Sequence, residues 1–429
     1  MDVAALLRGD AVHRAAYVDP AVFALEQERI FRRAWLYVAH ESEVAQPGDY
    51  VLRRLGPEEV LLVRREDGGL SLLHNRCAHR GARVVTEPAG NVRQLRCPYH
   101  SWTYALDGSL IGVPLPEGYA ARPELGLAKV PRVESYRGFV FGSHAAGGPG
   151  LAEFLGALAS AFDNMLDRAP AGTVSRFGGA LRLEYRGNWK MFMENAVDLV
   201  HPGFVHRSSI EAAREARGAA RAQPADALTE QGAQMFLANG LRAPQWDEVP
   251  LHAFPGGHVY MGGFYKGGVI GAERDDPVFA RYRAQLVERH GEEKAAAVLA
   301  VDRFNNLVWP NVSVNARFAA MRVVQPVAAD RTVVEVLCFR LDGAAREMHE
   351  LTLQFVNLAA SPASLVASDD LEIFERCQRG LADAALDWID VRRGVLADRR
   401  QADGSTLGGG TSELAIRNQF AAWLQYMRQ

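Results

Sequence analysis

Cysteine is scarce in this sequence, since the 429 residues include only Cys77, Cys97, Cys338 and Cys377. So few thiols exclude the dense disulfide framework of small secreted proteins. The sequence also lacks a run of roughly 18 apolar residues, the length that a membrane-spanning helix needs. Its first residues carry charges where a signal peptide would have an apolar core. We therefore expect a cytoplasmic protein that does not cross a membrane.

An excess of charge of one sign is lacking as well, because 48 Lys and Arg residues stand against 51 Asp and Glu residues, for a net charge of -3. Without a basic stretch, nucleic acid is not an expected partner. At this length one hydrophobic core rarely serves the whole chain, so two or three folded regions are expected.

Residue patterns divide the chain into three regions. Residues 19–39 predict a helix, within an N-terminal segment (1–40) that we expect to pack on the last region. Short β-like runs separated by Gly, Pro and Asp predict a small all-β domain over 41–148. Runs of helix with runs of strand predict an α+β domain over 149–429, with an antiparallel sheet flanked by helices. Its predicted helical stretches are 151–168, 190–219, 276–300 and 369–400.

Two segments of the β region each place a cysteine close to a histidine, "CAHRGA" at 77–82 and "CPYHSW" at 97–102. Cys77 and His79 follow a C-x-H pattern, and after a gap of seventeen residues Cys97 and His100 follow C-x-x-H. Zinc fingers commonly group two cysteines on one element and two histidines on the other. One cysteine and one histidine per loop is instead the ligand pattern of a Rieske 2Fe-2S cluster. The segments predict such a cluster, with a structural zinc site as the alternative.

A second pair of histidines lies in "NWKMFMENAVDLVHPGFVH" at 188–206. On an uninterrupted helix, His201 and His206 would point about 140° apart. Pro202 cannot donate to the carbonyl of Asp198, so a break between the histidines would let the imidazoles converge. Two histidines and a carboxylate form the facial triad of non-haem Fe(II) oxygenases. The alternative is that both histidines are structural.

The motifs "CAHRGA" and "CPYHSWTY" resemble the cluster loops of the Rieske non-haem iron ring-hydroxylating oxygenases, large (alpha) subunit. The Glu194-Asn195 context of the second histidine pair is similar to that family as well. In two places the sequence departs from the family pattern: Ser101 stands where glycine is usual, and Val200 where tyrosine is usual. The resemblance implies a Rieske domain over 41–148 and a catalytic domain, holding a mononuclear Fe(II), over 149–429.

The third iron ligand is implied to lie in "ASDDLEIFERCQRGL" at 367–381. Asp370 is the residue that the resemblance favours, because its spacing along the sequence to Glu375 and Gln378 matches the family pattern better than the spacing from Asp369 does. Two adjacent acids also suit the start of a helix, where negative charge is favourable. We therefore expect His201, His206 and Asp370 to hold the mononuclear iron.

The resemblance also implies how electrons reach the iron. Asp198 is implied to link the mononuclear site to a cluster histidine of the neighbouring subunit in a head-to-tail homotrimer. A separate reductase, directly or through a ferredoxin, is implied to supply the electrons of NAD(P)H. No G-x-G-x-x-G segment follows a strand here, so the chain is not expected to bind NAD(P)H directly. The sequence does not indicate whether a small beta subunit accompanies the trimer.

The implied activity is that of a terminal oxygenase that uses dioxygen to dihydroxylate an aromatic substrate, favoured to be an aromatic carboxylate. Arg322, in "AAMRVVQPV", is a candidate partner for the substrate carboxylate, because a guanidinium binds a carboxylate through two hydrogen bonds. A structural arginine is the alternative at that position. A Rieske monooxygenase, an oxidative N- or O-demethylase and, more remotely, a Rieske electron-transfer protein remain alternatives for the whole chain.

Overall fold

The computed structural model describes residues 2–119, 123–220, 236–237, 239–262, 277–303 and 305–429. The chain divides into two compact units. The smaller unit is Glu26–Phe154, and the larger unit combines Met1–Leu25 with Leu155–Gln429. The domain boundaries at 40/41 and 148/149 stay predictions.

The predicted helical stretches are found in part, and two long helices, Arg346–Ala360 and Leu414–Met427, were not predicted. In chain order, the described α-helices are α1 (Ala15–Val18), α2 (Pro20–Glu26), α3 (Leu151–Leu155), α4 (Ala159–Asp167), α5 (Trp189–Asn195), α6 (Pro202–Val205), α7 (Arg207–Ala220), α8 (Ala243–Asp247), α9 (Pro277–His290), α10 (Glu292–Ala300), α11 (Arg346–Ala360), α12 (Ala367–Ala382) and α13 (Leu414–Met427). Short 3-10 turns lie at Val3–Leu6, Glu41–Val44, Pro123–Leu125, Gly156–Leu158 and Pro255–Gly257, and a π-helical turn at Gln27–Phe31.

The helix predicted over 19–39 is too long. Helical structure ends at Phe31, and Leu36–His40 is a strand whose residues are all buried. A short apolar run fits a fully buried strand as well as a helix, which explains the error. The stretch predicted over 369–400 likewise ends at Ala382.

In chain order, the strands are β1 (Leu7–Arg8), β2 (Ala11–His13), β3 (Leu36–His40), β4 (Asp49–Leu55), β5 (Glu58–Arg64), β6 (Leu70–His74), β7 (Ala89–Asn91), β8 (Leu95–Arg96), β9 (Thr103–Tyr104), β10 (Leu110–Gly112), β11 (Arg132–Tyr136), β12 (Phe139–Ser143), β13 (Val174–Tyr185), β14 (Pro250–Ala253), β15 (Val259–Met261), β16 (Asn306–Val308), β17 (Val312–Asn315), β18 (Ala320–Ala328), β19 (Arg331–Leu341), β20 (Trp388–Asp390), β21 (Arg399–Arg400) and β22 (Thr406–Gly409). The sequence also predicts a strand-like run over 258–272, and its part from 263 onward lies outside the described residues.

The smaller unit is built from small antiparallel sheets, with strand orders β6-β5-β4-β7, β11-β12-β3 and β10-β9-β8. Its core joins the sheet residues Leu61, Val63 and Leu73 to Cys77 and Cys97. The two cysteines are therefore anchored in the core of this unit. This all-β architecture confirms the predicted fold of the region.

The larger unit is organised around one antiparallel sheet, whose described strands have the order β13-β19-β18-β17-β16-β15-β14-β22-β21. Strand β19, "RTVVEVLCFRL", is rich in β-branched residues and is mostly buried on both faces. Helix α11 packs against β19, and α5 packs against β18. Helices lie against the sheet, so the predicted α+β class is confirmed. Among the described residues, no helix combines the length and the apolar character needed to span a bilayer.

Candidate metal centres

The two Cys-His segments form loops with the same backbone hydrogen bonds. The N–H of Gly81 donates to the carbonyl of Cys77 at 3.0 Å, and the N–H of Ser101 donates to the carbonyl of Cys97 at 3.1 Å. Both cysteines are free thiols, and each is only 2% exposed. The loops thus bring two buried thiols to equivalent positions in two matching turns.

The imidazoles of the two loops lie next to each other, with the ring centroids of His79 and His100 4.6 Å apart. Trp102 stacks on His79 at 4.8 Å, which holds that ring in place. The hydroxyl of Tyr104 lies 3.0 Å from Cys77 Sγ. A thiolate at that sulfur accepts a hydrogen bond from the hydroxyl, and hydrogen bonds to the sulfurs of a cluster tune its reduction potential. Two thiols with two adjacent imidazoles fit the ligand set of a Rieske cluster.

Ser101 occupies a backbone conformation that favours glycine. Its φ is 56°, while Gly81 at the equivalent position of the other loop has φ 77°. A side chain in the left-handed region costs about 1–2 kcal/mol. We expect Ser101→Gly to raise the free energy of unfolding by about 1 kcal/mol, measured by thermal unfolding of the cluster-loaded protein. The matched variant Gly81→Ser should lower it, and equal stability of both variants and the parent would contradict this prediction.

The two histidines of the candidate iron site flank the short helix α6. His201 caps the N-terminus of α6, Pro202 occupies its first position, and His206 caps its C-terminus. Proline suits the first helical position because that N–H has no partner within the helix. The predicted break between the two histidines is therefore wrong: the chain is helical between them, and the interruption lies between Asn195 and Pro202. The ring centroids of the two histidines are 5.4 Å apart.

Helix α12 brings a carboxylate to the two imidazoles. His201 Nε2 lies 3.6 Å from Asp370 Oδ1, and His206 Nε2 lies 3.4 Å from the same oxygen. One ligand atom from each of these residues lies within 4.8 Å of the other two. Two imidazole nitrogens and one carboxylate oxygen are the donor set of an Fe(II) facial triad. The three residues named from the sequence are thus brought together.

The electrostatics of this site suit a cation. Burial raises the pKa of Asp370 to about 6, although the charge of His201 and a hydrogen bond from Asn195 lower it. Burial and the neighbouring His201 lower the pKa of His206 to about 4. His206 is therefore neutral at physiological pH, with a ring lone pair available to a metal. A bound cation would in turn favour the ionised form of Asp370.

Asp198 lies near Nδ1 of His201, whereas Asp370 lies near Nε2 of the same ring. Asp198 Oδ1 accepts hydrogen bonds from the backbone N–H of Val200 at 2.6 Å and of His201 at 2.9 Å, and it lies 3.6 Å from His201 Nδ1. Arg393 Nη2 donates to its Oδ2 at 3.0 Å. Burial alone would raise the pKa of Asp198, but the contacts with His201 and the charge of Arg393 hold it well below its usual range. The carboxylate is thus ionised and fixed beside the imidazole of His201.

Sequence reasoning missed two residues that contact the predicted ligands. Asn195 donates a side-chain hydrogen bond to Asp370 Oδ1 at 3.2 Å. Asp369 Oδ2 lies 3.5 Å from His206 Nδ1. The available signals were the Glu194-Asn195 context for the first and the paired acids of α12 for the second. Neither signal tells which way a side chain points.

Arg322 lies on β18, opposite Ser313 of β17. Its guanidinium donates to Asn305 Oδ1, contacts Ser313 Oγ at 3.4 Å, and lies 5.6 Å from the ring centroid of Phe192. Burial lowers its pKa to about 10, and the charge of Asp370 raises it. Arg322 is therefore close enough to Asp370 for the opposite charges of their side chains to interact.

Comparison with known proteins agrees with the two cofactors that these residues suggest. The Rieske 2Fe-2S domain model matches residues 34–136, and the model of the ring hydroxylating alpha subunit (catalytic domain) matches residues 175–429. These two models imply one Rieske cluster and one mononuclear iron.

Relatives and solved structures cover nearly the whole chain. The large subunit of 2-halobenzoate 1,2-dioxygenase of Burkholderia cepacia is 30% identical over 89% of this chain and 79% of its own length. Toluate 1,2-dioxygenase subunit alpha of Pseudomonas putida is also 30% identical, over 89% of this chain and 81% of its own. The crystal structure of naphthalene 1,2-dioxygenase from Rhodococcus sp. superimposes with a TM-score of 0.79 at 25% identity, covering 97% of this chain and 94% of that one. The resemblance inferred from the sequence is thus confirmed, and the chain belongs to the alpha subunits of the Rieske ring-hydroxylating dioxygenases.

Proposed function

We propose that this subunit is the terminal oxygenase of a system that dihydroxylates the ring of an aromatic carboxylate. His201, His206 and Asp370 hold the mononuclear Fe(II) in this proposal. The cluster is held by Cys77, His79, Cys97 and His100. When bound, the iron activates dioxygen and the cluster supplies electrons one at a time.

One observation carries the substrate class: Arg322 is a half-buried cation whose hydrogen-bond partners are neutral. Among the described residues they are Asn305 and Ser313, and the acid whose charge acts on it is Asp370. A charge that is partly removed from water is costly unless a counter-ion pairs directly with it. A substrate carboxylate would supply that counter-ion, with the aromatic ring held beside the iron. The names of two relatives, 2-halobenzoate and toluate dioxygenases, are those of enzymes for aromatic acids.

The same proposal includes a head-to-tail homotrimer. Tyr99, next to His100 at 3.8 Å between ring centroids, has a side chain that is 55% exposed. Phe204, between the two histidines of the iron site, is 78% exposed, and Leu396, near Arg393 in sequence, is fully exposed. Large apolar side chains exposed beside functional groups are typical of protein contacts. An interface between the surface around Tyr99 of one subunit and the surface around Phe204 and Leu396 of the next would place Asp198 near a neighbouring cluster histidine.

Electron delivery by a separate reductase, with or without a ferredoxin, belongs to the proposal as well. So does a cytoplasmic location, which the scarcity of cysteine favours. Whether a small beta subunit joins the trimer is answered by the mass of the purified complex.

The reaction is tested by a single turnover of chemically reduced protein under isotopically heavy dioxygen. Benzoate and N-methyl and O-methyl aromatic compounds serve as probes, and mass spectrometry identifies the products. We expect a ring diol carrying two labelled oxygens. A phenol with one labelled oxygen would make the enzyme a monooxygenase, and formaldehyde with a demethylated product would make it a demethylase. Either result overturns dihydroxylation and leaves the metal centres as described.

Replacing Arg322 tests the substrate class. We expect Arg322→Gln to weaken benzoate binding about 10- to 100-fold, because a charge-assisted hydrogen bond contributes about 1.5–3 kcal/mol. Binding is measured by titration of the metal-loaded protein. Benzamide, the neutral analogue, should bind both proteins equally.

The control variant is Arg182→Gln. Arg182 is exposed, lies on β13 rather than on the strand of Arg322, and its side chain is 3.6 Å from that of Glu335. Benzoate binding that is unchanged in Arg322→Gln would assign Arg322 a structural role. Equal losses for benzoate and benzamide would do the same, since the defect would then not depend on the carboxylate.

A further inference from the structure

His206 has a carboxylate at each of its two ring nitrogens. Its Nε2 lies 3.4 Å from Asp370 Oδ1, and its Nδ1 lies 3.5 Å from Asp369 Oδ2. Both His206 Nδ1 and Asp369 Oδ2 are buried from solvent, and neither has a hydrogen-bond partner among the residues that the structure describes. Each is therefore the natural partner of the other, since one is a potential donor and the other an acceptor.

The register of helix α12 produces this arrangement. Ser364 Oγ accepts hydrogen bonds from the N–H of Val366 and of Ala367, so the helix starts just before the two acids. Successive residues of a helix point about 100° apart, which lets Asp369 and Asp370 address different atoms of one imidazole ring. The first turn of a helix also favours acidic residues, because its N–H groups point toward them.

The chemistry of a metal-bound histidine specifies what such a carboxylate does. A histidine that offers the Nε2 lone pair to a metal carries its proton on Nδ1. A carboxylate that accepts a hydrogen bond from this N–H selects the tautomer, fixes the ring orientation and raises the basicity of the ligand. On the other imidazole, Asp198 Oδ1 lies 3.6 Å from His201 Nδ1. Each iron-site histidine is thus matched with its own outer carboxylate.

We propose that Asp369 is a positioning residue: its carboxylate accepts a hydrogen bond from Nδ1–H of His206 and aims Nε2 at the mononuclear iron. This inference rests on the proposed role of His206 as an iron ligand. It assigns the two adjacent acids of α12 separate tasks, with Asp370 as a ligand and Asp369 as the group that orients a second ligand.

The test measures Fe(II) affinity in the full chain with its Rieske cluster in place, by competition with a chromogenic ferrous chelator. We expect Asp369→Ala to weaken Fe(II) binding about 10- to 100-fold, as is typical when an outer carboxylate is removed. Asp369→Asn should have a smaller effect, because an amide oxygen accepts the same hydrogen bond without charge. The Mössbauer quadrupole splitting of bound iron-57 should also change in Asp369→Ala, since the ring is no longer held in one orientation.

A matched control is Glu372→Gln on the same helix, where the exposed Glu372 pairs with Arg376 at 2.9 Å. This variant should keep wild-type affinity and splitting. If Asp369→Ala lowers only the unfolding temperature and leaves Fe(II) affinity and the Mössbauer spectrum unchanged, Asp369 serves the helix alone and the inference is wrong.

His206→Ala separates this failure from failure of the proposed ligand set. Loss of Fe(II) in His206→Ala together with normal binding in Asp369→Ala overturns only the positioning role. Full retention of Fe(II) in His206→Ala would overturn the ligand set itself, and with it the inference.

Discussion

Asp370→Ala is expected to leave the protein with its Rieske cluster but without mononuclear iron. Asp370 Oδ1 is the shared neighbour of His201 Nε2 and His206 Nε2, at 3.6 and 3.4 Å. Removing it takes away the oxygen donor of the triad and the negative charge that offsets the charge of Fe(II). The loss should exceed the 10- to 100-fold weakening that follows removal of an outer partner, so occupancy should fall below about a tenth.

The measurement is iron per chain by elemental analysis, read beside the visible spectrum of the cluster. The cluster spectrum should be unchanged, because its proposed ligands lie in the other compact unit. Glu375→Gln is a suitable control, since Glu375 lies on the same helix and pairs with Arg379 rather than with a ligand. Mononuclear iron that is fully retained in Asp370→Ala would remove Asp370 from the ligand set.

Asp198→Asn is expected to keep both metal groups and yet lose coupled turnover. An asparagine oxygen still accepts hydrogen bonds from the backbone N–H groups of Val200 and His201, which preserves the turn before α6. The substitution removes the negative charge that lies beside His201 Nδ1 and pairs with Arg393. Product formation should fall to background, while cluster and iron contents stay at their wild-type values.

Stopped-flow absorbance distinguishes the step that fails. In a single turnover, reoxidation of the reduced cluster should become slow in Asp198→Asn, because the proposed route from the neighbouring subunit is interrupted. Arg393→Gln is the matched control, since it removes the other partner of the carboxylate and leaves the charge of Asp198. Rapid cluster oxidation with normal product yield in Asp198→Asn would refute the proposed route.

The sequence was informative wherever ligands lie close together along the chain. Cys77 and His79, and likewise Cys97 and His100, are held by single turns with i-to-i+4 backbone bonds. His201 and His206 flank one helical turn. Local spacing restricts such pairs strongly, so residue type and interval were enough to propose them as ligands, and the comparisons agree with the cofactors that they imply.

Sequence reasoning was weaker where a boundary depends on packing. The run Leu36–His40 suits a helix or a buried strand, and its pairing with β12 makes it a strand. Pro202 was expected to interrupt a helix, but it begins one, because the chain had already left helix α5 at Asn195. In both cases the deciding contacts come from residues that are distant in sequence or from a turn that residue type does not specify.

The sequence by itself was enough to predict the Rieske cluster, the mononuclear iron and the α+β class, because the two cofactors rest on short motifs and the class rests on runs of helical and β patterns. Three-dimensional packing was needed to divide the roles of Asp369 and Asp370 and to give Arg322 neutral partners. The former depends on the rotation of α12 against α6, and the latter on the register of β18 against β17. The spacing along α12 favoured Asp370 as the ligand, but a rotation of the helix by one residue would exchange the positions of the two acids, so the packed structure is needed to show which imidazole nitrogen each acid faces.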